Sequence, residues 1–176
     1  MIRRALLIVV VALVAAATGL YFFSHQRTAL GGSVEKAQAQ LARLSLPDPA
    51  GKLQPLSQWQ GKVLVLNFWA TWCTPCREEV PGLVRIQRRF ASNGLQIVGI
   101  AIDSAVKVQS FAHEFDINYP LMIGEIDLIE ITRLLGNKAS GLPFTVILDR
   151  SGKIADVHLG RISEEELTRQ LRRLLG

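Results

Sequence analysis

Hydrophobic residues along the chain form short continuous runs that alternate with segments of helical periodicity. The runs at residues 63–69 and 95–102 are rich in Val, Leu and Ile, which is typical of strands buried on both faces. Between them, residues 74–93 place apolar side chains at helical spacing, and Gly94 ends that segment. The pattern therefore predicts a buried strand, a helix and a second buried strand in succession.

The second half of the chain continues this alternation and then departs from it. Further elements are predicted as a helix after Ser104, a strand at 120–123, a helix at 126–135, strands at 144–148 and 154–159, and a helix after Ser163. The last two strands flank an Asp-Arg-Ser-Gly turn, which predicts a β-hairpin. Because a hairpin pairs antiparallel strands, we predict an α/β domain whose sheet is mixed and flanked by helices.

The N-terminus carries an apolar segment of a different kind. Residues 5–23 contain no charged side chain over 23 − 5 + 1 = 19 positions, and Arg3 and Arg4 precede them. A helix of this length spans roughly 28 Å, close to the thickness of a bilayer core. The segment therefore predicts a single transmembrane signal anchor, with the two arginines in the cytoplasm. The alternative is a cleaved signal peptide, since the three alanines at 15–17 fit a cleavage site.

The apolar segment divides the chain into three predicted parts. They are the anchor at 1–23, a polar tether at 24–43 and one domain at 44–176. The formal net charge of +5 partly reflects Arg3 and Arg4, because 18 basic and 15 acidic residues remain from Ser24 onward, a net of +3. That balance is ordinary for a soluble domain, so we predict no nucleic-acid partner.

The two cysteines of the chain, Cys73 and Cys76, lie where a buried strand meets a helix. Free N–H groups and the positive end of the helix dipole favour a thiolate at the first cysteine. We therefore expect Cys73 to be exposed and nucleophilic, and Cys76, one turn into the helix, to be shielded and to act as the resolving thiol. A structural disulfide, a zinc site and a copper(I) site are the alternatives; zinc is disfavoured because the three histidines are isolated.

Two motifs carry a resemblance to a known family. The segment Phe-Trp-Ala-Thr-Trp-Cys-Thr-Pro-Cys-Arg at 68–77, together with Gly-Leu-Pro-Phe-Thr at 141–145, resembles the thioredoxin superfamily. It looks most like the membrane-anchored extracytoplasmic thiol-disulfide oxidoreductases of the TlpA and ResA type. The resemblance runs from about Leu44 to the C-terminus and implies a thioredoxin-like fold, with residues 118–138 as the strand–helix insertion of this branch.

The resemblance also implies roles for individual residues. Cys73 would attack the substrate disulfide and Cys76 would resolve the mixed disulfide. Pro143 would be a cis-proline that, with Leu142, offers a backbone edge to the substrate; an ordinary trans-proline is the alternative. Trp72 would form a rim contact for a partner, whereas Trp69 would pack inside the domain.

The polar residues around the motif depart from cytoplasmic thioredoxins at one position. Asn67 stands where those proteins carry a buried aspartate that handles the proton of the second cysteine, and an amide cannot act as that base. Glu78 and Glu79 are the nearest carboxylates in sequence. Glu79 is the candidate for proton transfer; alternatively, both residues complement the helix dipole. Pro81 is predicted to kink the same helix.

The function implied is that of a protein-disulfide reductase outside the inner membrane, with no metal or other cofactor. Its clients would be apocytochrome c or copper-site assembly proteins, and a membrane thiol carrier of the DsbD or CcdA kind would supply electrons. A disulfide oxidase and a non-catalytic copper-binding or scaffold module are the alternatives, because the spacing of the cysteines does not fix the direction of electron flow. A peroxiredoxin is disfavoured, since the usual proline- and threonine-led cysteine motif is absent.

Overall fold

The computed structural model describes residues 13–21 and 32–176. The chain divides into two compact units, one ending at Lys36 and one running from Ala37 to Gly176. Residues 13–21 are helical, and within the described ranges no helix is both long and apolar enough to cross a membrane. Most of the anchor predicted at 5–23 lies outside the described residues, so the anchor stays a prediction.

Helix α1, residues 32–42, falls within the segment predicted as a tether. Its residues Ala37 and Leu41 are one turn apart and almost wholly buried, at 0% and 1% exposure. The second compact unit therefore begins at Ala37, upstream of residue 44, where the sequence pattern predicts the domain to start. The apolar residues of this helix are mostly alanines among polar side chains, and so weak a hydrophobic pattern does not reveal that the helix packs on the core.

A five-stranded mixed sheet forms the centre of the domain. Its strands are β3 (Val63–Trp69), β4 (Leu95–Ala101), β5 (Leu121–Ile123), β6 (Phe144–Leu148) and β7 (Ile154–Leu159), which lie in the order β5-β4-β3-β6-β7. Strands β3, β4 and β5 are parallel, whereas β6 runs antiparallel to both β3 and β7. The predicted hairpin and the mixed sheet are confirmed. A separate antiparallel pair precedes them, formed by β1 (Ser45–Pro47) and β2 (Leu53–Pro55).

Helices cover both faces of this sheet. After α1 they are α2 (Thr74–Phe90), α3 (Ala105–Glu114), α4 (Ile129–Leu134) and α5 (Glu164–Leu175). Helices α2, α3 and α5 contribute to one hydrophobic cluster, and α1 and α4 contribute to the other. The predicted insertion at 118–138 supplies β5, which lies at one sheet edge, and α4.

Strand β3 lies at the centre of the sheet and is buried along its whole length. Its side chains alternate between the two clusters, with Val65 and Trp69 on the α2 side and Leu66 and Phe68 on the other. Full burial of each such side chain contributes roughly 1.5–3 kcal/mol. Strand β3 therefore anchors both layers and fixes the point at which the chain leaves the sheet to enter α2.

Candidate active site at the amino terminus of helix α2

Cys73 and Cys76 form a disulfide at the first turn of α2. Cys73 is the N-cap residue, with extended backbone, and its Sγ accepts a hydrogen bond from the backbone N–H of Cys76 at 3.3 Å. Pro75 occupies the first turn, where an N–H is not needed. The helix therefore begins with the backbone N–H of Cys76 directed at the Cys73 sulfur, and this N–H and the positive end of the helix dipole favour a thiolate there after reduction.

The exposure of the two cysteines differs in part from the expectation. Cys76 is fully buried, as predicted, but Cys73 is only 5% exposed rather than open to solvent. In the disulfide form the Cys73 sulfur is bonded to the buried Cys76 sulfur and caps the helix, so it faces the protein. Partner access is thus confined to a small area of Cys73.

The Leu142–Pro143 peptide bond is cis. Phe144 pairs with Phe68 in the sheet, so Pro143 lies at the same end of the sheet as the Trp69–Cys73 connection. The Pro143 carbonyl accepts a hydrogen bond from Gly160 N at 2.9 Å. Leu142 is partly buried and packs against the hydrophobic cluster that contains Cys73 and Cys76.

The two tryptophans of the motif differ in their environments. Trp72, directly before Cys73, is 66% exposed. Trp69 is buried, and its ring centroid lies 4.7 Å from that of Phe111 on α3. The packing role predicted for Trp69 is confirmed, and Trp72 presents an indole to solvent next to the disulfide.

Glu79 lies on the buried face of α2, one turn beyond Cys76, and is 4% exposed. Asn67 has the same orientation as Val65 and Trp69 on β3, so it faces α2. Its Nδ2 donates to Glu79 Oε1 at 2.7 Å and to Thr145 Oγ1 at 3.3 Å. The second carboxylate oxygen, Oε2, accepts from the backbone N–H of Ile162 at 3.2 Å. The Glu79 carboxyl is therefore held by Asn67 and by Ile162, and Thr145 joins the network through Asn67.

This environment raises the pKa of Glu79 from an ordinary 4.5 to about 7. Burial is the main cause, because it disfavours the charged form. The hydrogen bonds from Asn67 and Ile162 and the positive charge of Arg161 oppose it. Tyr119 lies close by, and its burial and the Glu79 charge together raise the pKa of its phenol. A carboxyl with a pKa near neutrality can both accept and release a proton at physiological pH.

Glu78, the neighbouring carboxylate, has a different role. It is exposed, and its Oε2 lies 3.2 Å from Nη1 of Arg161. The two adjacent glutamates thus point to different surroundings, one into the core and one to an ion pair at the surface. The spacing of three residues from Cys76 places Glu79 rather than Glu78 on the inward-facing side of the helix, in agreement with the choice of Glu79 from the sequence.

Several residues around Glu79 are missed by sequence reasoning. Thr145, Tyr119, Arg161 and Ile162 belong to three different segments and carry no motif that connects them to Glu79. Only Thr145 has a sequence signal that could have indicated its place near the site, because it is the last residue of the Gly-Leu-Pro-Phe-Thr motif. Among the described residues, no group of three or more His, Cys, Asp or Glu side chains is arranged to hold a metal ion.

Comparison with known proteins places this site in a family. The sequence model that describes the AhpC/TSA family matches residues 37–158 of this chain. The match covers more than half of the chain, and the chain belongs to this family.

Individual relatives narrow the class. Thioredoxin-like protein YneN from Bacillus subtilis is 34% identical over 131 residues, which cover 72% of this chain and 74% of the relative. Thiol-disulfide oxidoreductase ResA from Geobacillus kaustophilus is 27% identical over 170 residues, covering 96% of this chain and 92% of that one. The crystal structure of a thiol:disulfide interchange protein of the thioredoxin family from Chlorobium tepidum superposes with a TM-score of 0.69 at 32% identity, covering 76% of this chain and 93% of that chain. The chain is a thiol-disulfide oxidoreductase with a thioredoxin-like fold.

Proposed function

We propose that the chain is an extracytoplasmic reductase of disulfides in partner proteins. The buried Glu79 carboxyl, one turn beyond Cys76, is the observation that supports electron flow from this chain to a client. A negative charge near a thiol disfavours its thiolate. Strongly oxidising dithiols owe their potential to a stabilised reduced form, and a carboxylate beside the buried cysteine acts in the opposite sense. The site therefore favours giving electrons to a client over taking them.

The reaction follows from the different positions of the two sulfurs. The Cys73 thiolate attacks one sulfur of a client disulfide, forming a Cys73–client bond and releasing the other client sulfur as a thiolate, which takes a proton from solvent. The Cys76 thiol then gives its proton to the Glu79 carboxylate and attacks the Cys73 sulfur. The second client thiolate leaves and is protonated. Two electrons have passed to the client, and the Cys73–Cys76 disulfide has re-formed.

Client binding rests on the surface around the disulfide. Trp72 contributes an exposed indole, and Leu142 and the cis-Pro143 contribute a backbone edge at the same end of the sheet. An extended client segment placed against this edge presents its sulfur to the small exposed area of Cys73. We propose apocytochrome c or copper-site assembly proteins as clients.

The location follows from the N-terminal segment. We propose that residues 5–23 anchor the chain in the inner membrane, with the domain on the periplasmic or extracytoplasmic side. The match to ResA from Geobacillus kaustophilus covers 96% of the chain and so extends into this segment. This supports the same order of N-terminal segment and domain in both proteins. A membrane thiol carrier of the DsbD or CcdA kind would reduce the Cys73–Cys76 disulfide after each turnover.

Catalysed reduction of insulin disulfides by dithiothreitol tests the activity. The purified full-length chain is expected to accelerate the reaction, and the Cys73→Ser variant to give the uncatalysed rate. The Glu79→Gln variant should slow the resolving step on the order of 100-fold, the lower end of the range for a positioned general base. Stable retention of copper(I) by the reduced chain without acceleration would contradict an exchange enzyme and favour a metal-binding module.

A further inference from the structure

A cavity of about 170 Å³ lies between α2 and the connection from β7 to α5. The charged residues that line it are Glu78, Glu79, Arg85, Arg161 and Glu164, and Gly82 lines it as well. Its volume accommodates about five water molecules at roughly 30 Å³ each. Within the described part of the chain, its lining excludes Trp72, Cys73, Leu142 and Pro143. The cavity thus reaches Glu79 from a side other than the client-binding surface.

Two ion pairs flank this cavity. Arg161 Nη1 lies 3.2 Å from Glu78 Oε2, and Arg85 Nη2 lies 2.8 Å from Glu164 Oε2. Both pairs are largely exposed, and ion pairs of that kind are weak and exchange readily with water. They keep the cavity polar and charged without sealing it.

The client-binding surface raises a difficulty that this cavity resolves. In the proposed function, Cys76 loses its proton while a client protein is covalently bound to Cys73. The client and the Trp72 indole then cover the exposed area of Cys73, and Cys76 itself is fully buried. A proton taken up by Glu79 therefore needs a route to solvent that the client does not block.

We propose that Glu79 exchanges its proton with solvent through this cavity, so that proton transfer from Cys76 continues while a client covers the disulfide. This inference rests on the proposed function of Glu79. The proton leaves the Cys76 thiol, neutralises the Glu79 carboxylate and passes to water in the cavity. The charged and titratable groups around Glu79 are Tyr119 before β5, Arg161 before α5, Glu78 and Arg85 on α2, and Glu164 on α5.

Gly82 provides a means of closing the cavity. A Cβ at this position meets the Cβ of Glu164 at 3.6 Å and Arg85 Nη2 at 3.9 Å, both ordinary contacts. Gly82→Ala therefore fits and leaves most of the space open, whereas the longer side chain of Gly82→Leu fills it. Both substitutions favour the helix. Gly82→Met, with a more adaptable side chain, replaces the leucine variant if that variant does not fold.

The experiment follows the carboxyl carbon of Glu79 by NMR in the full-length chain labelled with ¹³C-glutamate, with Glu79→Gln to assign the signal. The wild type and Gly82→Ala are expected to show one averaged resonance that moves with pH. Gly82→Leu should lose this averaging near its midpoint. The midpoint itself should rise, because leucine displaces water beside the carboxyl and burial disfavours the charged form, so the loss of averaging and not the midpoint reports the route. A Cys76→Ser chain with a peptide disulfide-bonded to Cys73 should retain the averaging.

The opposite pair of results, averaging kept in Gly82→Leu and lost in the peptide adduct, would place the route at the disulfide surface and overturn the inference. Failure of the proposed role of Glu79 gives a different result. In that case Glu79→Gln would resolve the mixed disulfide as fast as the wild type at every pH, whatever the resonance shows.

Discussion

The Nδ2 atom of Asn67 lies 2.7 Å from Oε1 of Glu79, and this hydrogen bond joins β3 to α2 one helical turn beyond Cys76. Both carboxylate oxygens accept N–H donors, an arrangement that suits the ionised form. Burial favours the protonated form, and the two effects leave the pKa at about 7. Asn67 Oδ1 has no hydrogen-bond partner among the described residues. Rotation of the amide would turn this oxygen toward Glu79, where it could accept a hydrogen bond from the O–H of the protonated carboxyl.

Replacing this amide by a carboxylate tests the electrostatic coupling. In Asn67→Asp two acidic groups share one buried space, and only one of them can ionise easily. We expect the titration midpoint of Glu79, followed by ¹³C NMR, to rise above the wild-type value of about 7. Thr145→Val is the matched control, because it removes the weaker partner of Asn67 and leaves the Glu79 hydrogen bond in place. Equal midpoints in Asn67→Asp and the control would refute the coupling.

Arg161 should tune the same carboxyl from the surface. Its positive charge lowers the pKa of Glu79, so Arg161→Met is expected to raise the midpoint and to shift the pH profile of mixed-disulfide resolution to higher pH. Arg161→Lys retains the charge and should stay close to the wild type. A midpoint unaffected by Arg161→Met would show that the charge is screened from Glu79.

The stability of the domain should depend on pH through Glu79. Its pKa is raised from 4.5 to about 7 on folding, so between these values the folded state binds more protons than the unfolded state. The free energy of unfolding therefore falls by about 3 kcal/mol as the pH rises from below 4.5 to above 7, and the stabilising contribution is lost once the pH is well above the folded-state pKa of about 7.

Denaturant titrations of the wild type and Glu79→Gln over this pH range isolate the effect. A hydrogen bond from Gln54 lowers the pKa of Asp48, and one from Ser151 lowers the pKa of Asp149. These two groups therefore stabilise the fold more as the pH rises, opposite to Glu79. Both groups are common to the two proteins and cancel in the difference. A difference that does not change between pH 4.5 and 7 would contradict the raised pKa.

Cys76→Ser is expected to accumulate clients as mixed disulfides on Cys73, because the resolving sulfur is missing. Non-reducing electrophoresis of the full-length chain isolated from its own host detects these adducts, and reduction releases the clients for identification. Cys73→Ser is the matched control and should form none. Absence of adducts in Cys76→Ser cells would count against every exchange mechanism.

Trp72 should affect client recognition without altering the redox centre. Its indole is 66% exposed, and aromatic anchors of this kind dominate binding energy at interfaces. Trp72→Ala is expected to lower the rate of client reduction about tenfold, equivalent to about 1.4 kcal/mol, with an unchanged rate toward dithiothreitol. Equal losses with both reagents would indicate a damaged redox centre instead.

The sequence pattern predicts the fold and the core of the site because both depend on local signals. The buried run of β3, the helical spacing of α2 and the cysteines between them belong to one continuous segment. The cis-proline at Pro143 is implied by the resemblance of a five-residue motif to the thioredoxin superfamily, and its cis bond is confirmed. These features need no knowledge of distant contacts.

The remaining parts depend on contacts between distant segments. Ile162 donates to Glu79 across 83 positions of sequence, and Arg161 reaches Glu78 across the same interval. Burial of Cys73 in the disulfide form depends on the direction in which a capping side chain turns, and periodicity does not report that direction. The packing of α1 depends on burial of Ala37 and Leu41, and a helix whose apolar residues are mostly alanines gives only a weak hydrophobic pattern.

The reduction potential of the Cys73–Cys76 pair tests the central claim most directly. The full-length chain is equilibrated with glutathione or dithiothreitol buffers, and the fraction of free thiol is measured. A buried carboxylate beside Cys76 and a role as a reductase predict a potential of about −220 mV or lower, toward the thioredoxin end of the known range. A potential close to about −120 mV would make the chain an oxidant and contradict the proposed direction of electron flow.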